Sequence, residues 1–306
     1  MTIKADWIAV DWGTSNMRAW AMSGSGTVLA EGSSDKGMGR LTPTEFEPTL
    51  LEVASEWIDG PTTVMACGMV GAKQGWIEAP YAAVPCAAMG GNLVTAPTQN
   101  PDLSVHIIPG VKQASPADVM RGEETQIAGF LARNPGWDGV ICLPGTHTKW
   151  VHISADEIVS FQTFMTGELF EVIGKHTVLR HSVTSNDWDQ AAFDSGLSDG
   201  MARPERIAAQ LFSLRAQGLL DGLGNDAARA RLSGLLIGAE LAAAKPYWLG
   251  QQIAVIGAGG LSKLYVDALA AQSAPATQVN GTAITLAGLT AAYRAHKSDG
   301  IEGSRQ

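Results

Sequence analysis

Short apolar runs of strand length alternate with donor-rich turns along much of this chain. Trp7-Ile8-Ala9-Val10 and Ala19-Trp20-Ala21-Met22 flank one polar turn and read as two strands. Ser23-Gly24-Ser25-Gly26 and a return strand, Thr27-Val28-Leu29-Ala30, follow, so residues 7 to about 32 form a first hairpin. The plan recurs far downstream. Gly139-Val140-Ile141-Cys142-Leu143 is a buried-looking strand, Pro144 to Lys149 a turn, and Trp150-Val151-His152-Ile153 a second strand. Ser154-Ala155-Asp156-Glu157 then leads to a return strand, Ile158-Val159-Ser160-Phe161. Two such copies predict a duplicated domain, each half presenting a donor-rich hairpin to one shared phosphate chain.

The connecting segments have their own signals. Thr42-Pro43-Thr44-Glu45 is a capping box with proline at the first helical position, which starts a helix reaching to about Trp57. Thr63 to Cys67 and Val105 to Ile108 read as strands. The stretch from Gly68 to Tyr81 is long for a simple connection, which marks it as a functional loop. Helices are expected over Asp118 to about Arg133, Thr166 to about Arg180, and much of residues 187–249, with Pro204 to Gln217 and Asp226 to Ala244 among them. A strand, Gln252 to Ile256, leads through Gly257-Ala258-Gly259-Gly260 into a helix from Leu261 to about Ala271. The last expected helix covers Ile284 to about Ala295, and the polar tail from Lys297 is expected to fray.

The turns carry the candidate chemistry. Asp11 closes the first strand, Gly13 permits close backbone approach, Thr14, Ser15 and Asn16 offer donors, and Arg18 adds a cation. A carboxylate, a run of donors and an arginine suit a magnesium–polyphosphate group. The same residues also suit an ordinary hairpin turn. Met120-Arg121-Gly122-Glu123-Glu124-Thr125-Gln126 places two carboxylates near a helix start, where adjacent side chains face different ways and at most one faces a ligand. The plain alternative is a helix dipole favouring acids. His147 has no Ser or Cys nucleophile motif beside it, so a role in the turn or in ligand hydrogen bonding is expected. Trp76 sits in the long loop beside Glu78 and Tyr81, as packing or as recognition.

Neither standard nucleotide fingerprint fits. No G-x-x-x-x-G-K-[ST] loop occurs. In Ile256-Gly257-Ala258-Gly259-Gly260-Leu261-Ser262, serine replaces the third glycine of the dinucleotide pattern, and no acid lies near the ribose position about 20 residues on. A nicotinamide-dependent dehydrogenase is therefore the weaker reading. The glycines equally suit a flat surface against an adenine ring, or a tight strand–helix turn.

Bulk properties narrow the classes. With 306 residues the chain has room for two domains. Its net charge of −9, with no Lys/Arg stripe, argues against nucleic acid as a partner. The same charge repels a nucleotide at long range, so a phosphate site must be built from local donors. Cys67, Cys86 and Cys142 lack metal-type spacing and read as buried thiols in a reducing cytosol. No signal peptide is expected, since the amino terminus runs straight into a strand bearing Asp11. Leu235 to Leu261, the most apolar later region, is broken by Glu240, Lys245 and Pro246 and is not expected to span a membrane.

Taken together, these motifs resemble the superfamily of sugar kinases, heat-shock ATPases and actin. Val10 to Arg18 resembles its first phosphate motif, Leu143 to Lys149 the second, Ile256 to Gly260 the adenosine motif, and the final helix its second connecting element. Gly122-Glu123-Glu124 stands where sugar kinases of this group carry a catalytic Asp, and the change to Glu leaves the identity of the base open. Gly68-Met69-Val70-Gly71, Gly75-Trp76, Ala79-Pro80-Tyr81, Met120 to Gln126, Leu143 to Trp150 and Phe164 to Phe170 resemble the 2-dehydro-3-deoxygalactonokinase family over nearly the whole chain.

That resemblance implies two α/β domains of the ribonuclease-H-like, actin-like ATPase kind, with a nucleotide cleft between them that closes on the sugar. Residues 1–117 would form the sugar-acid and phosphate side and 118–306 the nucleotide side, with the helix at about 284–296 returning to the first domain. It implies a cytoplasmic kinase that uses ATP and Mg2+ to phosphorylate 2-dehydro-3-deoxy-D-galactonate at its terminal hydroxyl. The roles follow from in-line transfer: Asp11 holds magnesium, and Glu123 or Glu124 takes the proton. Gly13, Thr14, Ser15, Asn16, Arg18, Gly145, Thr146, His147 and Lys149 serve the phosphates, and Gly257, Gly259 and Gly260 serve the nucleoside. Arg40, Lys73, Gln74 and Trp76 are the candidates for the sugar acid, Arg40 or Lys73 reading its carboxylate. A homodimer is left open. The rivals are another sugar kinase, an ATPase or acyl-phosphate kinase on the same fold, the dehydrogenase, and a noncatalytic nucleotide sensor.

Overall fold

The computed structural model describes residues 3–303, with side chains described through Ser298. The chain divides into two compact units. Unit 1 is Met1–Asp138, Ile153–Ser160 and Gly281–Gln306; unit 2 is Gly139–His152 and Phe161–Asn280. The expected boundary at 117/118 thus falls inside unit 1, and the helix that follows it belongs there too.

Unit 1 begins with β1 (Trp7–Trp12), β2 (Met17–Met22) and β3 (Val28–Ser34), then α1 (Phe46–Ala54) and β4 (Thr62–Gly68). Short strands follow: β5 (Ala82–Ala83), β6 (Cys86–Ala87), β7 (Val94–Ala96), β8 (Leu103–Ile107), β9 (Val111–Ala114) and β10 (Ala117–Met120), before α2 (Glu123–Arg133). Its main sheet has the order β3-β2-β1-β4-β8-β7. The β1 strand pairs antiparallel to β2 and parallel to β4, so it is central and nearly all buried. Ile8, Val10 and Trp12 enter one core with Phe46, Leu50 and Val64. Trp7 and Ala9 enter the other, with Leu289 and Tyr293. The capping box forms as read, with Glu45 accepting the Thr42 N–H at 2.7 Å, and single 3-10 turns bracket α1.

Unit 2 contains β11 (Gly139–Leu143), most of β12 (Thr148–Ser154), the end of β13 (Glu157–Phe164), α3 (Thr166–His176), α4 (Gln190–Ala202), α5 (Ile207–Leu220), α6 (Asn225–Ala243), α7 (Lys245–Trp248), β14 (Ile253–Gly257), α8 (Gly259–Ala270) and β15 (Ala276–Asn280). Its strands run β15-β14-β11-β12-β13. Counted within unit 2, that is fifth, fourth, first, second, third, which matches β8-β4-β1-β2-β3 of unit 1 once the short strands β5 to β7 are set aside. The repeat seen in the turns therefore extends to the topology. Residues 153–160, at the hairpin tip, count with unit 1, where Glu157 and Ile158 pair with Ala87 and Cys86.

The last helix, α9 (Gly281–Gly303), returns to unit 1. Trp7 stacks on Tyr293 at 4.5 Å, and the backbones of α2 and α9 touch: a Cβ at Gly288 would lie 2.0 Å from the Thr125 carbonyl. Two readings change here. Residues 117–120 are a strand rather than the first turn of α2, because Ala117–Met120 pairs with β9 and Gly122 sits at φ +108°, outside helical space. The helix read as ending near Ala295 continues through Gly303; residues 304–306 lie outside the described residues.

Candidate active site

In unit 1 the polar residues gather where β1 and β4 end. Asp11 interrupts the buried run of β1 and lies opposite Arg18 on β2 and Cys67 on β4. Its Oδ2 is 2.6 Å from Arg18 Nη2, and Arg18 Nη1 donates to Thr282 Oγ1 of α9 at 3.0 Å. Arg18 and Asp11, expected to act separately on phosphate and metal, thus face each other as an ion pair. Thr14, Ser15 and Asn16 are exposed on the turn, which closes by a 2.9 Å bond from Gly13 N–H to the Asn16 carbonyl. The segment from Gly37 to Gly39 braces it, and a Cβ at Gly37 would lie 2.3 Å from the Ser15 backbone.

The acidic helix start is adjacent. Gly68 and Gly122 both have positive φ, and a Cβ on Gly122 would lie 3.3 Å from the Gly68 Cα. Glycine is what lets the end of β4 and the start of α2 come together. Glu123 is half-buried and accepts the Arg121 N–H at 3.0 Å. Glu124 is fully buried and accepts from Gly122 N–H at 2.6 Å and from the Thr125 hydroxyl at 3.0 Å. Burial, and then the neighbouring Glu123 charge, push the Glu124 carboxyl up to about 8. The Cys67 thiol, buried near Asp11 and Glu124, is raised by the same causes.

Unit 2 holds a cavity of about 410 Å³. Gly145 and Thr146 of the second turn form one side, Phe170 of α3 and Trp188 another, Arg229 and Ser233 of α6 a third, and Leu261 and Tyr265 of α8 the last. Its lining is mostly apolar, with the Arg229 guanidinium 5.0 Å from the Phe170 ring. That is the make-up of a site for a flat heterocycle with a polar edge. Beneath it, Glu240 is buried and accepts from Trp150 Nε1 and Tyr265 Oη, each at 2.8 Å, while Tyr265 Oη also meets Thr148 Oγ1 at 3.0 Å. This network ties the strand after the second turn to α8. Gly167 packs against the turn itself, where a Cβ would lie 2.3 Å from the Gly145 carbonyl. His147 is exposed and bonded to Glu168 at 2.6 Å.

The family described as 2-keto-3-deoxy-galactonokinase matches over residues 11–292, from Asp11 to within α9. The chain belongs to that family. It is 40% identical over 305 residues to a probable 2-dehydro-3-deoxygalactonokinase of Rhizobium meliloti strain 1021, covering 96% of this chain and 99% of that protein. It is 36% identical over 291 residues to the 2-dehydro-3-deoxygalactonokinase of Escherichia coli strain K12, covering 94% and 97%. The crystal structure of a putative 2-dehydro-3-deoxygalactonokinase from Sinorhizobium meliloti superposes with a TM-score of 0.88 at 39% identity, covering 94% of this chain and 98% of that one. The fold is the one that crystal structure shows, built here from two compact α/β units.

Within this galactonokinase-family chain, several sequence candidates lie elsewhere than expected. Trp76 is a core residue: it is buried against Phe46 and Trp12, and its indole N–H bonds to the Pro97 carbonyl. Arg40 pairs with Asp35 at 3.0 Å on the surface, which takes up its charge. Lys73 and Gln74 are exposed. Lys149 is buried within β12 rather than presented from the turn. Arg121, Phe170, Trp188 and Arg229 were not singled out by sequence; their side-chain directions depend on packing that no local pattern encodes.

Gly257 is packed, since a Cβ there would lie 2.3 Å from Ser262 Oγ, whereas Gly259 and Gly260 have nothing within 4 Å of such a Cβ. Gly260 also has an ordinary backbone, unlike Gly259 at φ +60°. Gly260→Val is therefore expected to fold normally and, if this turn faces the nucleoside, to raise the Michaelis constant for ATP about 10-fold. Calorimetry on a folded variant with unchanged ATP affinity would return the segment to a plain turn.

Proposed function

We propose that this protein is an ATP-dependent kinase that phosphorylates 2-dehydro-3-deoxy-D-galactonate at its terminal hydroxyl. What carries the reading is that the family match, residues 11–292, spans Asp11, the Glu123–Glu124 helix start, the Gly145–Lys149 turn and the Gly257–Gly260 turn. Every segment with candidate chemistry lies inside it. Unit 2, with its apolar cavity, supplies nucleoside binding, and unit 1 supplies the acidic groups and the sugar-acid site.

The step is an in-line transfer. The sugar-acid hydroxyl oxygen bonds to the γ-phosphorus of ATP, the bond from that phosphorus to the β–γ bridging oxygen breaks, and ADP leaves. The hydroxyl proton must go to a base. Glu124 is unsuited, because with its carboxyl raised to about 8 it is already protonated at neutral pH, and it has no surface to offer a substrate. Glu123, half-buried on the next position of the same helix start, takes that role. Glu124 holds the Gly122 amide and so fixes the backbone that presents Glu123.

Magnesium fits the donor set in one way. Among the described residues no group of three or more His, Cys, Asp and Glu side chains surrounds a common point. Mg2+ commonly uses one or two carboxylates and takes its other ligands from phosphate and water. Asp11 would supply the carboxylate, and the ion would neutralise charge on the phosphates. Thr14, Ser15 and Asn16, exposed on their turn, would donate to phosphate oxygens, and Arg18 would add charge once its pair with Asp11 opens.

Among the described residues no helix is long and apolar enough to cross a membrane. A coupled ADP-release screen over sugars, sugar acids and 2-keto-3-deoxy acids tests the function. ADP release should depend on 2-dehydro-3-deoxy-D-galactonate and give the 6-phosphate; release indifferent to any sugar acid would overturn it in favour of an ATPase.

A further inference from the structure

We propose that Arg121 binds the 2-oxo-carboxylate end of the sugar acid and sets the enzyme's preference for an acid over a neutral sugar. The inference rests on the kinase reading above. Arg121 lies between β10 and α2, two residues before the proposed base. Its own N–H donates to Glu123, so its backbone is anchored at the reacting end of the site.

The side chain runs away from that end into the long loop of unit 1. Nη2 donates to the Ala79 carbonyl at 2.8 Å, and the guanidinium lies 4.2 Å from the Tyr81 ring centre. Nε and Nη1 are buried with no hydrogen-bond partner, and among the described residues no carboxylate pairs with this arginine. Gly71 makes room for it, since a Cβ there would lie 2.9 Å from Nη1.

Such an arrangement is costly unless something uses it. The Nε and Nη1 groups, out of water and without acceptors, lose their hydration for no return, although the side chain as a whole is only partly buried. Three other basic side chains of unit 1 do have carboxylate partners: Arg18 has Asp11, Lys36 has Glu52, and Arg40 has Asp35. The missing complement is a planar anion with several acceptor oxygens. A 2-oxo acid offers that, with two carboxylate oxygens and the neighbouring carbonyl oxygen in one conjugated plane, the geometry a guanidinium fork matches and an ammonium does not. On this proposal the reacting hydroxyl lies toward Glu123 and the charged end toward the Arg121 guanidinium. The Tyr81 ring lies over the guanidinium, so the acid must shift that ring to reach the buried donors.

The test compares the acid with its carboxamide, which keeps the shape and loses the charge. Steady-state constants are measured for wild type, Arg121→Gln and Arg121→Lys, with melting curves to show that each is folded. Wild type should prefer the acid. Arg121→Gln should raise the Michaelis constant for the acid by about 10- to 100-fold, the range for a lost charge-assisted bond. It should leave the ATP constant within about twofold and abolish the preference over the carboxamide. Arg121→Lys should fall between. A loop clasp alone would weaken both sugars equally. So an unchanged acid-to-carboxamide ratio in either folded variant overturns the assignment while leaving the kinase reading intact. Failure of the wild type to phosphorylate the acid at all overturns both.

Discussion

Glu123→Gln is expected to lower kcat by about 10²- to 10⁴-fold, the usual worth of a positioned general base, with little change in either Michaelis constant. Its neighbour should behave differently. Glu124→Gln keeps an acceptor for the Gly122 N–H and a partner for the Thr125 hydroxyl, and it mimics the protonated state that burial already favours. Its kcat at neutral pH should stay within a few-fold of wild type. Stability gives a second readout. The Glu124 carboxyl is near 4.5 when unfolded and about 8 when folded. Between those values the folded chain holds a proton that the unfolded chain has lost, so the native state loses stability as pH rises from about 4.5 to about 8. Glu124→Gln removes that slope, on the order of 1 kcal/mol per pH unit. It should melt near wild type at pH 5 and clearly above it at pH 8. Equal loss of turnover in both variants would show that the two carboxylates act as one coupled pair rather than as base and support.

The two hairpins were legible because their signals are local. A strand, a Gly-Thr turn and a strand recur within about 25 residues each, and side-chain period and turn chemistry suffice to read them. The equivalent strand orders of the two units follow from that duplication. Arg121 was quoted as part of a motif but not as a binding group, because its direction depends on β10 pairing with β9 and on Gly122 at φ +108°, and both are tertiary facts. Trp76 misled for the converse reason. An aromatic in a long loop looks available, yet the loop folds inward and its indole joins Phe46 and Trp12. Lys149 followed the turn in sequence and so read as part of it, but β12 had already begun at Thr148 and drew it into the sheet. The short strands β5, β6 and β7 have two or three residues each, below the length at which alternation can be read.

Asp11→Asn is expected to reduce kcat by about 10²- to 10³-fold while costing the fold little. The structural side is bounded by the Arg18 pair, in which the two side chains are 39% and 23% exposed, so its loss is worth about 1 kcal/mol or less. Arg18 would also keep its bond to Thr282. The functional side is larger, because a neutral amide cannot replace a carboxylate toward a divalent cation, and charge stabilisation in the transition state depends on groups fixed in advance. Arg18→Met separates the two members of the pair. If Asp11 holds magnesium as proposed, Arg18 competes for that carboxylate, and removing it should lower the Mg2+ concentration for half-maximal rate. On the proposed role of Arg18 toward phosphate, the Michaelis constant for ATP should rise several-fold at the same time. Asp11→Asn should show no recovery at any Mg2+ concentration. Near wild-type turnover in folded Asp11→Asn would remove Asp11 from the site. An unchanged ATP constant in Arg18→Met would leave Arg18 as a partner that holds Asp11 in place and nothing more.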